Sequence, residues 1–365
     1  MEELKMPRAH NRVRDWIRRH RAISILLIVL CVIVVAAIVF SILYIEKHST
    51  KPVAKVVKAK VVAKTVAPTV YYSPLTGEAV ANLAATTQPV TAVMIENSPD
   101  ARPQSGLKEA GVVFEAIAEG GITRFMAIYQ QEKPQLIGPV RSLRIYDIDW
   151  FTPFDASIAH VGGSAAALAE VRNGSFRDID QFFNGAYYYR STDRAAPHNV
   201  YTTSAKLDAL NAAKGYTSSN PIGFARVDGK ANTKPTATSI NINFSIPLYN
   251  TSYSYDAGNN DYPRSQDGAP HLDREEGQIA PTVVVAMHVA ETTVLQDGYR
   301  EAITTVGSGP ATIFQNGTAT NVTWTKKSQA SQIVFTDASG KIVPLDRGQT
   351  WIAAVPNGEG SVSWQ

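Results

Sequence analysis

From Ala22 to Ile45 the chain carries no charged residue and is rich in Ile, Val and Leu. A helix of that length spans the hydrocarbon core of a bilayer. The run therefore splits the chain into a short leading tail and a long body on opposite sides of a membrane. A cleaved signal peptide has a shorter apolar region that ends at small residues. Here the run closes on Phe40-Ser41-Ile42-Leu43-Tyr44-Ile45, with Tyr44 where an interfacial anchor would sit. We expect an uncleaved, single-pass transmembrane anchor over residues 22–45. The tail, residues 1–21, holds Lys5, Arg8, Arg12, Arg14, Arg18, Arg19 and Arg21 against Glu2, Glu3 and Asp15. An arginine-rich short tail favours a cytoplasmic N-terminus, although Lys47, Lys51, Lys55, Lys58, Lys60 and Lys64 follow on the other side. The expected location is the cell membrane, with the body extracytoplasmic.

Cys31 is the only cysteine and lies inside the apolar run. Leu30 precedes it, where a lipoprotein signal needs a small residue. The body therefore has no disulfide, no thiol nucleophile and no cysteine-ligated metal. Residues 46–72 repeat Lys, Val, Ala, Thr and Pro without a stable period, which reads as an extended, self-repelling linker. A formal net charge of +3 is too small for a dedicated nucleic-acid binder.

The densest chemistry lies between Glu96 and Phe125. Two strand-like runs, Val112 to Glu119 and Ile122 to Tyr129, flank Gly120-Gly121, a hairpin signal because the turn needs positive φ. An unbroken register sets Glu119 opposite Ile122, Ile117 opposite Arg124 and Glu115 opposite Met126. Glu115, Glu119 and Arg124 then share one face, and Phe114, Ala116, Ala118, Thr123, Phe125 and Ala127 form the core face. Arg124 would project between two carboxylates. That pattern fits a solvated salt-bridge ladder or the charged floor of a cleft.

Further residues belong with that floor. Val90 to Ile95 reads as a central strand ending at Glu96. A Pro/Gly loop follows with Arg102. Gln135 to Asp149 sets Arg141 and Arg144 around another strand. Asp155 to Val161 reads as a short buried strand ending near His160. Gly162-Gly163-Ser164 then leads into a helix over 165–172, with Ser164 as its N-cap. No phosphate-loop, dinucleotide or G-x-S-x-G pattern is present, so Ser164 reads as a cap before it reads as a nucleophile. Arg194 and His198 lie in the tyrosine-rich loop Gly185 to Tyr201, before a helix that begins at Thr203 or Ser204 and runs through Ala213. After a loose polar stretch near 220–235, strands dominate, including 239–244, 282–289, 313–315, 321–325, 332–336, 341–344 and 350–355. His271, Asp273 and His288 lack zinc-site spacing, so no metal and no cofactor is expected.

The fold class is α+β and β-rich: two packed domains, 73–222 and 237–360, outside the membrane, after one transmembrane helix. The motifs MIENSPDARPQSGL, EAIAEGGITRFMAIY, IGPVRSLRIYDIDW, HVGGS, RAAPHNVYT and TWIAAVP occur in that order. Together they resemble the YerB-like family of bacterial cell-envelope lipoproteins, over nearly all of Pro74 to Pro356. The resemblance implies a bacterial, extracytoplasmic protein with an N-terminal and a C-terminal part. It implies no reaction and no catalytic residues, and this chain departs from the lipoprotein pattern at Cys31.

The expected function is binding of an anionic cell-wall ligand or peptidoglycan. Glu96, Arg102, Glu115, Glu119, Arg124, Arg141, Arg144, His160, Ser164, Arg194 and His198 are the candidate cleft, since arginine forks bind carboxylates and phosphates. A hydrolase or transferase acting through Glu and His is the alternative. Glu115 and Glu119 would, however, stand roughly 13 Å apart along the strand, wide for a catalytic pair. A structural partner of another envelope protein is the third possibility.

Overall fold

The computed structural model describes residues 16–48, 69–293 and 301–365. The tail before Trp16 and the linker over 49–68 lie outside the described residues. The chain divides into two units at Ala67/Pro68. In the first, the apolar run forms one helix, α1 (Arg21–His48), long and apolar enough to cross a membrane.

The second unit is built on a ten-stranded mixed sheet. Its first half contributes β1 (Thr91–Glu96), β2 (Val112–Glu119), β3 (Ile122–Tyr129), α2 (Ile145–Phe151), β4 (Ser157–Ala159), α3 (Ala165–Asn173), β5 (Arg177–Asp178) and α4 (Ser204–Ala213). The second half adds β6 (Ser239–Asn243), β7 (Thr251–Ser254), β8 (Arg264–Gln266), β9 (Ala269–Pro270) and β10 (Val283–Val289). It continues with β11 (Gly307–Gln315), β12 (Thr318–Lys326), β13 (Val334–Thr336), β14 (Thr350–Pro356) and β15 (Ser361–Trp364). The large sheet has the order β13-β12-β11-β10-β14-β2-β3-β1-β4-β5, and a five-stranded sheet has the order β9-β8-β7-β6-β15. The chain is thus α+β and β-rich.

Segments 73–222 and 237–360 both feed the large sheet. Strand β14, from the second, pairs in parallel with β10 on one side and with β2 on the other. Both sheet faces are covered. One packs against Trp150, Phe151, Phe154, Ala167 and Val171 of the α2–α3 layer. The other packs against Ile240, Ile242 and Tyr253 of the smaller sheet, the nearby Tyr262, and Leu207 and Leu210 of α4. A sheet buried on both faces needs apolar residues at successive positions, and β14, with every residue buried, obeys this.

The β2–β3 hairpin departs from the expected register. Gly120 and Gly121 both have positive φ, 56° and 77°, as a type I′ turn requires. Glu119 does face Ile122, but a bulge between Ile117 and Glu119 shifts the rest: Ile117 faces Thr123, Ala116 faces Arg124 and Glu115 faces Phe125. One extra residue reverses the alternation. Glu115 and Glu119 therefore lie on opposite faces, and Arg124 meets only Glu119. Phe114 and Phe125, expected on one face, belong to different core layers.

Two further expectations are corrected. The region 135–149 is not a strand but extended backbone with isolated bridges that runs into α2. The reason is local. Asp147, at the third helical position, accepts the Arg144 N–H at 2.8 Å and so ties off the first turn of the helix, while the donor-only Arg144 side chain makes no cap bond. Residues 341–344 form only a bridge, Thr336 to Ile342. Ser164 does cap α3, accepting the Ala167 N–H at 3.3 Å. Ser164→Ala should cost about 1 kcal/mol in a denaturant titration; an unchanged midpoint would remove the cap from the energetics.

Candidate functional site

The sequence-derived candidates fall into three groups. The first lies where β1 and β3 end on the α2 side. Glu96 and Arg124 are cross-strand neighbours. Arg124 Nη2 meets Glu119 Oε1 at 3.0 Å, its Nη1 donates to the Ser142 carbonyl, and Arg144 binds the other Glu119 oxygen. Arg141 Nε stands 3.3 Å from Glu96 Oε1, and His198 Nδ1 stands 3.0 Å from that same oxygen. Ser98 Oγ donates to it too, at 3.0 Å. Arg194 is half-buried and donates to the carbonyls of Asp100 and Pro103. Three guanidiniums, Arg124, Arg141 and Arg144, thus face two carboxylates, Glu96 and Glu119.

Electrostatics sharpen the picture. Burial works to raise the Glu119 pKa, but Arg124 and Arg144 outweigh it and hold the carboxyl at about 2. Beneath them Asp147 is buried, and desolvation raises it to about 7 despite the Arg144 N–H bond and the nearby arginines. Arg124 and Arg144 are spent on Glu119. Arg141 is not: its side chain is 26% exposed, and its two terminal nitrogens have no partner among the described residues.

The second group is a closed ring on the opposite sheet face. Arg264 Nη2 donates to Glu115 Oε1 at 3.1 Å and lies 2.9 Å from Oε2, and its Nε donates to His271 Nδ1 at 2.8 Å. His271 Nε2 lies 3.0 Å from Gln104 Oε1. Gln104 donates to Asn97 Oδ1, Asn97 to Thr123 Oγ1, and Thr123 back to Glu115 at 3.2 Å. Trp351 Nε1 also donates to Glu115, at 2.9 Å. Because Arg264 can only donate, His271 Nδ1 must accept and Nε2 must carry the proton. A neutral ring agrees with its pKa, pushed well below the usual value by burial and then by Arg264 and Arg102. Arg102 borders this ring through Asn97 Oδ1.

The third group is His160 with Asp178 and Gly162. Nε2 lies 3.0 Å from Asp178 and Nδ1 lies 2.7 Å from the Gly162 carbonyl. Burial works to raise the Asp178 pKa, but His160 and then Arg172 bring it below its usual value. Ser164 serves only as a cap here. Among the described residues no group of His, Cys, Asp or Glu is arranged to hold a metal.

The Ser98–His198–Glu96 contact is not a nucleophile-activating triad. Ser98 Oγ at 3.1 Å and Glu96 both approach the same ring nitrogen, Nδ1, and Nε2 faces only Asp100 at 3.9 Å. A relay needs nucleophile and acid on opposite ring nitrogens. The arrangement can clamp and orient a ligand.

Arg264, Gln104, Asn97 and Trp351 were not among the sequence candidates. The signal for them was Glu115 itself, a carboxylate inside a strand that needs a partner, but that partner is 149 positions away.

Family models described as "Protein of unknown function (DUF3048)" match residues 75–217 with their N-terminal domain and 240–352 with their C-terminal domain. The YerB protein of Bacillus subtilis strain 168, named as a candidate lipoprotein, is 34% identical over 294 residues, 78% of this chain and 86% of its own. This chain is a YerB-family protein. The crystal structure of Bacillus subtilis YerB resembles it with a TM-score of 0.71 at 31% identity, over 80% of this chain and 99% of that one. In this YerB-family member the buried ring joins the two matched parts: Glu115, Asn97, Gln104 and Thr123 belong to the first, Arg264 and His271 to the second.

Proposed function

We propose that this YerB-family protein is held in the cell membrane by α1, with its N-terminus cytoplasmic, and binds an anionic cell-wall ligand on the outside. The observation that carries this reading is Arg141. Its Nε is held beside Glu96, its terminal fork is open, and the surrounding cluster holds a surplus of guanidinium over carboxylate. A planar fork with two free N–H groups binds a carboxylate or phosphate bidentately. His198 and Arg194 at the rim add donors without adding negative charge. The envelope setting is supported by the apolar helix and by the candidate-lipoprotein relative.

Full-length protein in detergent can be titrated with carboxylate-bearing muropeptides and with a glycerol-phosphate polymer, at low and high salt. Affinity should fall as salt rises, and Arg141→Lys should weaken it about tenfold, since a point charge replaces the fork. A neutral glycan bound equally well at both salts, with Arg141→Lys unaffected, would refute the anionic ligand.

A further inference from the structure

A second cavity, of about 280 Å³, opens between the Arg102–Pro103 loop and the β8–β9 turn. Four polar residues line it: Arg102, Asp267, Gln266 and His271. Arg102 donates from Nε to Asn97 Oδ1 and from one Nη to the carbonyls of Asn97 and Leu248, at 3.3, 3.1 and 2.9 Å. Its guanidinium also lies over the Tyr249 ring, 5.3 Å from the centroid. It is pinned, yet its other Nη makes no hydrogen bond among the described residues. Asp267 stands exposed on the turn with no ion pair among the described residues, its own N–H tied to the Asn250 carbonyl at 3.1 Å. Gln266 is only 5% exposed, and its Oε1 is buried out of a ligand's reach, with no partner among the described residues. Its Nε2 points at the Leu248 carbonyl, which requires a donor, so the amide cannot be reversed.

Opposite charges therefore line one cavity without touching each other. Burial lowers the Arg102 pKa, while Tyr249 and then Asp267 act to hold it up, so the carboxylate is near enough to be felt. His271 also lines the cavity, but both of its ring nitrogens are engaged in the buried ring and it is uncharged. The remaining walls, Pro103, Pro270 and Leu272, are apolar. A simple anion would meet Asp267. A simple cation would meet Arg102. A ligand bearing both charges satisfies the free Arg102 Nη and Asp267 together.

We infer that this cavity binds an α-amino-acid zwitterion with a small aliphatic side chain, its carboxylate on Arg102 and its ammonium on Asp267. This reading does not depend on the Arg141 cluster.

Full-length protein in detergent, titrated with L- and D-alanine by calorimetry, tests it. At least one enantiomer should bind saturably. N-acetylalanine, which lacks the ammonium, and alaninamide, which lacks the carboxylate, should bind at least tenfold more weakly. Asp267→Asn keeps a residue tolerant of the turn's φ of 54°; it should lower alanine affinity at least tenfold without moving the unfolding midpoint. Leu272→Trp, at a half-exposed wall position, should abolish binding by filling the cavity. No saturable binding of either enantiomer would overturn the assignment. So would alaninamide binding as tightly as alanine, or binding that survives both Asp267→Asn and Leu272→Trp.

Discussion

Glu115→Gln is expected to lower the unfolding free energy by about 3–5 kcal/mol, the usual cost of removing one partner from a buried ion pair. Glu115 and Arg264 are each fully buried. Every group that reaches the Glu115 oxygens is a donor: Arg264, Trp351 Nε1 and the Thr123 hydroxyl. A carboxylate has only acceptors to offer, whereas glutamine must turn an NH₂ toward one of those donors and leaves Arg264 without a counter-charge. The Arg264 guanidinium also stacks 4.4 Å from the Trp351 ring centroid and is hydrogen-bonded to the Tyr253 hydroxyl, so it cannot swing out to solvent. Denaturant titration of the full chain measures the loss. Removing both charges, as Glu115→Leu with Arg264→Met, should restore part of it, because neither change then strands a bare charge. A Glu115→Gln midpoint matching wild type would mean that the ring carries no net energy.

Glu119→Gln is expected to cost about 2–4 kcal/mol, because it leaves Arg124 and Arg144, with side chains 5% and 6% exposed, facing each other without an anion. Arg124→Ala should cost less, since Arg144 still holds Glu119. The pH dependence separates this from mere packing. The Glu119 pKa is lower in the folded state, about 2 against an ordinary 4.5, so its contribution is present above 4.5 and is lost as pH falls toward 2. Asp147 runs the other way. Its folded pKa, about 7 against 3.8, means that its contribution is full below 3.8 and is lost as pH rises through 7. The stability difference between wild type and Glu119→Gln should therefore shrink between pH 4.5 and 2. A difference constant across that window would show that the charge is not the cause.

Much of the fold was legible from short-range pattern. The apolar run became α1, Gly120-Gly121 became a type I′ turn, and Ser164 and Thr203 became N-caps. Each depends on residues within a few positions of one another. The site was legible as composition and not as grouping. Glu96, Arg141 and His198 do meet, as do Glu119, Arg124 and Arg144, but Glu115 is turned to the other face. The Asp147 bond to the Arg144 N–H that opens α2 was also readable in principle, as an acidic residue in the first turn, but the strand-like residues around it concealed it.

By itself the sequence determined where the membrane-length helix lies, where the hairpin turns and which helices are capped, because propensity, turn chemistry and hydrophobic length act locally. It also marked Glu115 as a charge that could not stand alone. Only the tertiary structure decided which way Glu115 faces, because a single bulged residue reverses a period of two and leaves no mark in composition. Only the tertiary structure supplied Arg264, His271 and Trp351 as its surroundings, and set β14 between β10 and β2 so that both matched parts share one sheet. Pairings between residues far apart in the chain are selected by the summed burial of the whole core, and no local window of sequence contains that sum.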